Sequence, residues 1–206
     1  MNIQGYIYII IIILIIIFVK EEDPINDTLI LVNKENGLPS DYIPVDLELI
    51  DKKFAFDNKY LRHEARSNIE KLGSDALALG YKIIVVSAFR DYKYQYDLHN
   101  EYIKVKGAQY AELCSARPGY SEHQTGLAID VMGSNNDYNL FEESIEFNWM
   151  RNNAHRYGFI LRYPYDKTDI TGYKYEPWHY RYVGLKTAEY IYKHNLTLEE
   201  YIKKQT

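Results

Sequence analysis

An α+β fold with one small, largely antiparallel sheet flanked by helices is predicted from three observations. Apolar residues recur at helical spacing in one long segment, short β-branched runs stand elsewhere, and the two kinds follow one another irregularly. About 185 residues follow an apolar N-terminus, enough for a single domain with a full core.

The chain opens with an almost pure isoleucine run, uninterrupted from Tyr6 to Val19, while the remainder is polar enough to bring the mean hydropathy to -0.41. A spanning helix needs roughly 20 residues, and Ile3 and Gly5 can extend this one. Residues 1–20 are a membrane anchor or a signal segment, and an uncleaved anchor is favoured because no small-x-small cleavage pattern follows, only Lys20-Glu21-Glu22-Asp23-Pro24; cleavage would leave the domain secreted. The run has no polar face, which argues against a buried core helix. Residues 21–28 form an acidic linker, and residues 29–206 are the expected folded domain. Lys20 follows the run and no Lys or Arg precedes it, so the positive-inside rule gives little help and, taken literally, leans toward a cytoplasmic domain.

Within the domain, Leu61, Ala65, Ile69, Leu72 and Ala76 share one helical face, predicting a helix over residues 58–79 that Gly80 ends. Residues 82–89 form a β-branched strand that delivers Arg90 at its end, and residues 92–105 are the next helix. Leu127 to Met132, a short apolar run after Gly126, is a buried strand. A helix over residues 142–157 stops at Gly158. Strands follow at 159–163 and 179–183, and helices at 185–193 and 198–203 close the chain.

Two imidazoles and two carboxylates stand out along this frame. His123 and Asp130 lie in Ser121-Glu122-His123-Gln124-Thr125-Gly126-Leu127-Ala128-Ile129-Asp130, and Glu176-Pro177-Trp178-His179 comes much later. His123, Asp130 and His179 give a metal two imidazoles and one carboxylate, with Glu176 spare, which is the ligand count of a catalytic zinc site with a fourth position open to water. Asp130 follows Leu127, Ala128 and Ile129, and a carboxylate buried there needs a partner such as a metal. Pro177 pushes Glu176 away from helical backbone angles, so this segment is extended or a turn and differs from the helical His-Glu-x-x-His pattern. By spacing alone Glu176 reads as a surface acid about as readily as a base. His63, His99, His155 and His194 read as exposed or hydrogen-bonded side chains without a metal role.

The net charge of -5 offers no basic face for nucleic acid and no sign of a polyanionic substrate. The single Cys114 allows no intrachain disulfide and reads as a small packed hydrophobe. Among the 22 tyrosines, Tyr180 and Tyr182 flank the last motif and could line a peptide groove.

Ser87-Ala88-Phe89-Arg90-Asp91, the run from Pro118 to Asp130, and Tyr175-Glu176-Pro177-Trp178-His179-Tyr180-Arg181-Tyr182-Val183-Gly184 resemble, in order, the motifs of VanY-type D-alanyl-D-alanine carboxypeptidases. Leu31-Val32-Asn33-Lys34, with Leu38-Pro39 and Tyr42 to Pro44, resembles that family's leading segment. The resemblance runs from about Leu29 to the last helix. It implies that His123, Asp130 and His179 are zinc ligands, that Glu176 is the catalytic base, and that Arg90 faces polar groups of the substrate. Ser121, Gln95, Ser115 and Trp178 are expected as further substrate contacts. Ala88 and Phe89 stand where the family often shows Gly and Tyr, a change to the pocket wall that leaves the chemistry intact.

The implied activity is hydrolysis of the C-terminal D-Ala from peptidoglycan stem peptides. Zinc held by such ligands lowers the pKa of its water from about 15.7 to around 7. Glu176 would take the proton and return it to the departing amine. Arg90 would stabilise either the oxyanion or the terminal carboxylate, since its five donors suit both. Stem peptides lie outside the membrane, so an external, anchored and monomeric catalytic domain is expected. Two alternatives keep the zinc: an L,D-carboxypeptidase trimming stem tetrapeptides, and a non-catalytic wall-binding module, against which the spare Glu176 argues. A serine-type enzyme is disfavoured, because no serine is followed three positions later by Lys and no Lys-Thr-Gly occurs.

Overall fold

The computed structural model describes residues 27–205. The expected anchor over residues 1–20 and nearly all of the linker therefore lie outside the described residues. Among the described residues no helix is long and apolar enough to cross a membrane. The chain divides into Met1–Ile30 and Leu31–Thr206. The described part of the first unit contains one 3-10 turn, Asp27–Leu29.

The second unit mixes helices with antiparallel strands, as the irregular pattern predicted, but the strands form two small sheets rather than the one expected. Strands β1 (Leu47–Leu49) and β2 (Tyr60–Arg62) form a two-stranded ribbon with Glu48 opposite Leu61. Helix α1 (His63–Ala78) begins five residues later than its apolar spacing suggested. The spacing is real, since Ala65, Ile69, Leu72 and Ala76 are all buried. At the front end, however, Arg62 N–H donates to the Gly126 carbonyl and His63 N–H to that of Asp46, so tertiary pairing overrides the helical signal.

Strand β3 (Ile84–Ser87) is followed by α2 (Tyr92–Lys106), whose first turn is capped by Asp91 accepting from Tyr94 N–H at 2.7 Å. A further short helix, α3 (Ala108–Cys114), has too few residues to announce itself by periodicity. Strand β4 (Ala128–Met132) leads to a region predicted as one helix. It is three pieces: a 3-10 turn at Tyr138–Glu143, α4 (Ile145–Asn153) and a second 3-10 turn at Ala154–Tyr157. Ser144 makes the break, its hydroxyl accepting from Phe147 N–H at 3.1 Å to start α4 afresh. Strand β5 (Phe159–Leu161), α5 (Thr168–Thr171), β6 (His179–Tyr182), α6 (Leu185–His194) and α7 (Leu198–Gln205) complete the unit.

The main sheet has the order β3-β4-β6-β5, every pair antiparallel. Asp130 stands opposite His179 on one side and Ser87 on the other. Directly paired residues project to the same face, so these three share one, with Arg181 two residues beyond His179. Ser87 reaches that face because the register shifts between Val85, which pairs Val131, and Ser87, which pairs Asp130. The opposite face carries Ile129, Val131, Tyr180 and Tyr182, all buried. Tyr182 Oη donates to Glu64 Oε1 at 2.7 Å and accepts from Asn68 Nδ2 at 3.2 Å, tying α1 to that side. Tyr180 and Tyr182 are thus core residues and line no groove beside His179.

Candidate metal centre

A tight turn aims the first imidazole. Ser121 precedes a 3-10 turn, Glu122–Thr125, and accepts from His123 N–H; Gly126 then ends the turn at φ 68°. Gly126 N–H returns to the His123 carbonyl, while its own carbonyl takes Arg62 N–H. A Cβ at this glycine would meet Leu47 Cδ2 at 2.9 Å and Arg62 Cγ at 3.0 Å. Only glycine satisfies both the left-handed backbone and the close approach. Gln124 anchors the leading segment to this turn by donating to the Pro39 and Tyr42 carbonyls.

The imidazoles converge on Asp130 through different nitrogens. His123 Nδ1 lies 2.7 Å from the Ala88 carbonyl, which can only accept, so Nδ1 carries the hydrogen and Nε2 presents a lone pair 3.3 Å from Asp130 Oδ2. His179 points its Nε2 at Glu122 Oε2, 3.4 Å away, and its Nδ1 at Asp130 Oδ1, 3.1 Å away. Glu176 Oε2 lies 3.5 Å from that same Nδ1. One ligand atom from each of His123, Asp130 and His179 falls within 4.8 Å of the others.

Acceptors facing one another in a nearly dry place require a cation. Asp130 Oδ1 is buried with His179 Nδ1 3.1 Å away, and the imidazole nitrogens turned toward Asp130 are those opposite the hydrogen bond that each ring makes on its far side. Nitrogen, nitrogen and carboxylate oxygen at this separation fit zinc, and Glu176 lines the cleft beside them. Charges agree with that reading. Burial, with Arg90 beside it, holds His123 down at about 4 despite Asp130, so it is neutral. Burial works against charge on His179 too, but its bonds to Asp130 and Glu122 outweigh it and lift the group to about 9. Burial would raise Asp130, yet His123 and His179 bring it well below the ordinary range. Burial pushes Glu176 up to about 7, where a carboxylate exchanges protons near neutrality.

The site opens into a cleft of about 310 Å³. Arg90, Ser115, Ser121, Glu176 and Trp178 line it, together with Ser87, Tyr138, Tyr163 and Tyr173. Gln95, expected among the substrate contacts, does not: it is fully buried behind Arg90. Its amide oxygen accepts from Arg90 Nε at 3.0 Å and its nitrogen donates to the Ala116 carbonyl at 2.8 Å, so it holds the arginine rather than a ligand. Arg90 Nη1 donates to Ser87 Oγ at 2.8 Å and lies 3.5 Å from Asp130 Oδ2, leaving Nη2 without a protein partner among the described residues.

Glu122 is the residue that sequence reasoning missed. It is buried, and its Oε1 accepts from Arg162 Nε at 2.8 Å and Arg181 Nη1 at 2.9 Å. Burial alone would raise its pKa, but the two guanidiniums hold it far below the usual range, so it is an ionised acceptor for His179. The available signal was period two: Arg181 shares the face of His179, and two charges on a buried strand demand a counter-charge.

Comparison with known proteins agrees with this geometry. A family model described as VanY, D-alanyl-D-alanine carboxypeptidase, matches residues 58–185. A D-alanyl-D-alanine carboxypeptidase of Enterococcus faecalis is 38% identical over 184 residues, covering 85% of this chain and 65% of that protein, so the chain spans a little under two thirds of its length. Among solved structures, the LD-carboxypeptidase LdcB is 42% identical with a TM-score of 0.81, covering 87% of each chain. A mutant of the vancomycin-resistance D,D-pentapeptidase VanY in complex with Zn(II) is 36% identical with a TM-score of 0.74, covering 85% of this chain and 98% of that one.

Proposed function

Because this chain belongs to the VanY family of D-alanyl-D-alanine carboxypeptidases, we propose that it is a zinc hydrolase removing the C-terminal D-alanine from peptidoglycan stem peptides. The observation that carries this reading is the convergence of His123, Asp130 and His179 with Glu176 on the open side. A module that only bound the wall would need no such spare carboxylate.

His123, Asp130 and His179 would hold the zinc, which would supply Lewis acidity toward the scissile carbonyl and bring the pKa of a bound water to around 7. Glu176 takes a proton from the attacking water as the new C–O bond forms. It delivers that proton to the nitrogen of the departing D-alanine as the C–N bond breaks. Arg90, held by Gln95 and Ser87, turns its remaining donors to the carboxylate that marks the end of the peptide. Ser115, Ser121 and Trp178 form the cleft wall against which the peptide lies.

A second reading, cleavage of stem tetrapeptides as an L,D-carboxypeptidase, draws support from the likeness to LdcB. Incubation with matched pentapeptide and tetrapeptide stems, with products weighed by mass spectrometry, separates the two. Loss of one alanine from the pentapeptide alone supports D,D activity, loss from the tetrapeptide alone supports L,D activity, and neither product contradicts both. The substrate also argues that the domain over residues 29–206 works outside the membrane, tethered by the apolar segment over residues 1–20. Protease added to intact cells should then digest the domain; its survival until lysis would contradict that placement.

A further inference from the structure

We infer that a chain of charges running inward from the part-exposed Glu199 through the buried Arg162 and Glu122 ends on His179 and makes the C-terminal helix α7 part of the support of the metal centre. The inference rests on the zinc reading above.

Glu122 has two carboxylate oxygens with separate duties. Oε1 receives both Arg162 Nε at 2.8 Å and Arg181 Nη1 at 2.9 Å, which leaves Oε2 to face His179 Nε2 at 3.4 Å. An imidazole that donates through Nε2 must present Nδ1 as a lone pair, and that is the nitrogen turned toward Asp130. Glu122 therefore selects which nitrogen of His179 is offered to the metal and holds the ring at that angle.

Arg162 is held in turn from the other side. Its Nη1 donates to Glu199 Oε2 at 2.9 Å and its Nη2 to Glu199 Oε1 at 2.6 Å, a fork meeting a fork. All three nitrogens of the guanidinium are thus committed, and the side chain is fully buried. Its main chain is fixed as well, Arg162 N–H donating to the His179 carbonyl at 3.2 Å. Tyr163 lies beneath both groups, its ring centroid 4.9 Å from the Arg162 guanidinium and 4.9 Å from the His179 ring. Two glutamates and two arginines balance, so removing either carboxylate leaves a buried guanidinium short of a partner and free to pull the rest out of register. Glu199 is not interchangeable with its neighbour: Glu200 pairs with Lys167 and accepts from Thr197 N–H instead.

The test titrates metal-stripped full-length protein with zinc against a chromophoric chelator and records the visible absorption of the cobalt(II)-loaded form. E199Q should raise the zinc dissociation constant about tenfold, and E122Q by about 10- to 100-fold with displaced cobalt bands, the range for loss of a group supporting a metal-ligating histidine. E200Q, on the same helix but outside the chain of charges, should stay within twofold, which separates the effect from general loosening of α7. Unchanged zinc affinity in E199Q overturns the proposal whatever E122Q does, so a failure of E122Q to fold does not rescue it. Folded E122Q with unchanged affinity and cobalt spectrum overturns it too. A wild-type protein that takes up no zinc overturns the metal reading and this inference together, whereas intact zinc uptake without peptide cleavage tells only against the proposed substrate.

Discussion

Glu122 and Glu176 are both glutamates beside His179, yet their surroundings give them opposite characters. Two arginines keep the first ionised and fixed, while the second lines the cleft with an imidazole 3.5 Å away. Replacing Glu176 with Gln keeps the shape of the site, so zinc content should stay complete while kcat falls about 100- to 10,000-fold, the usual worth of a positioned acid–base group. Normal turnover in Glu176→Gln would remove it from that role. His123→Ala takes away a ligand and should leave metal substoichiometric after dialysis, as metal analysis would read; a full complement would strike His123 from the ligand set. His123, Asp130, His179 and Glu176 were legible because the runs that carry them resemble, in order, the motifs of one family; by spacing alone Glu176, one of 29 acidic residues, read as a surface acid about as readily as a base. Glu122, Arg162 and Arg181 were not legible, because charges pair in a core only after strands and a turn distant in sequence have met.

At the scale of elements, the turn after His123 and the register shift in β3 do most to build the site. Gly126→Ala must hold a Cβ-bearing residue in left-handed backbone, costing about 1–2 kcal/mol, and must push aside Leu47 and Arg62. Denaturant unfolding of the metal-free protein should show that loss, and a change below about 0.5 kcal/mol would mean the turn adapts freely. The glycine, the strand after it and the helix behind Ala65, Ile69, Leu72 and Ala76 were readable from pattern. The ribbon of β1 and β2 was not: three residues give too little alternation to compete with the helical spacing that continues through Leu61. Ser87 is a related case, since only the shifted pairing shows which face it joins.

For the whole molecule, the class and single-domain size follow from composition and the mixture of elements, but the order β3-β4-β6-β5 needed the pairings themselves. That order sets β4 beside β6 and so brings Asp130 opposite His179 across 49 positions of sequence, counting from 130 to 179. Because the proposed ligands come from a turn and two strands, metal binding should tie the domain together. With free zinc at a thousand times its dissociation constant, the folded state gains about 4 kcal/mol, visible as a higher melting temperature. His123→Ala should lose most of that gain and Glu176→Gln should keep it; equal gains in both variants would place the metal elsewhere.

The central claim is that these ligands carry a zinc-dependent peptide hydrolysis, and the most direct measurement is alanine release from stem peptides by protein that has been exhaustively chelated and then given zinc back. Release should stop on chelation and return with about one zinc per chain, the count that a single three-ligand site allows. Undiminished release from metal-free protein would contradict it.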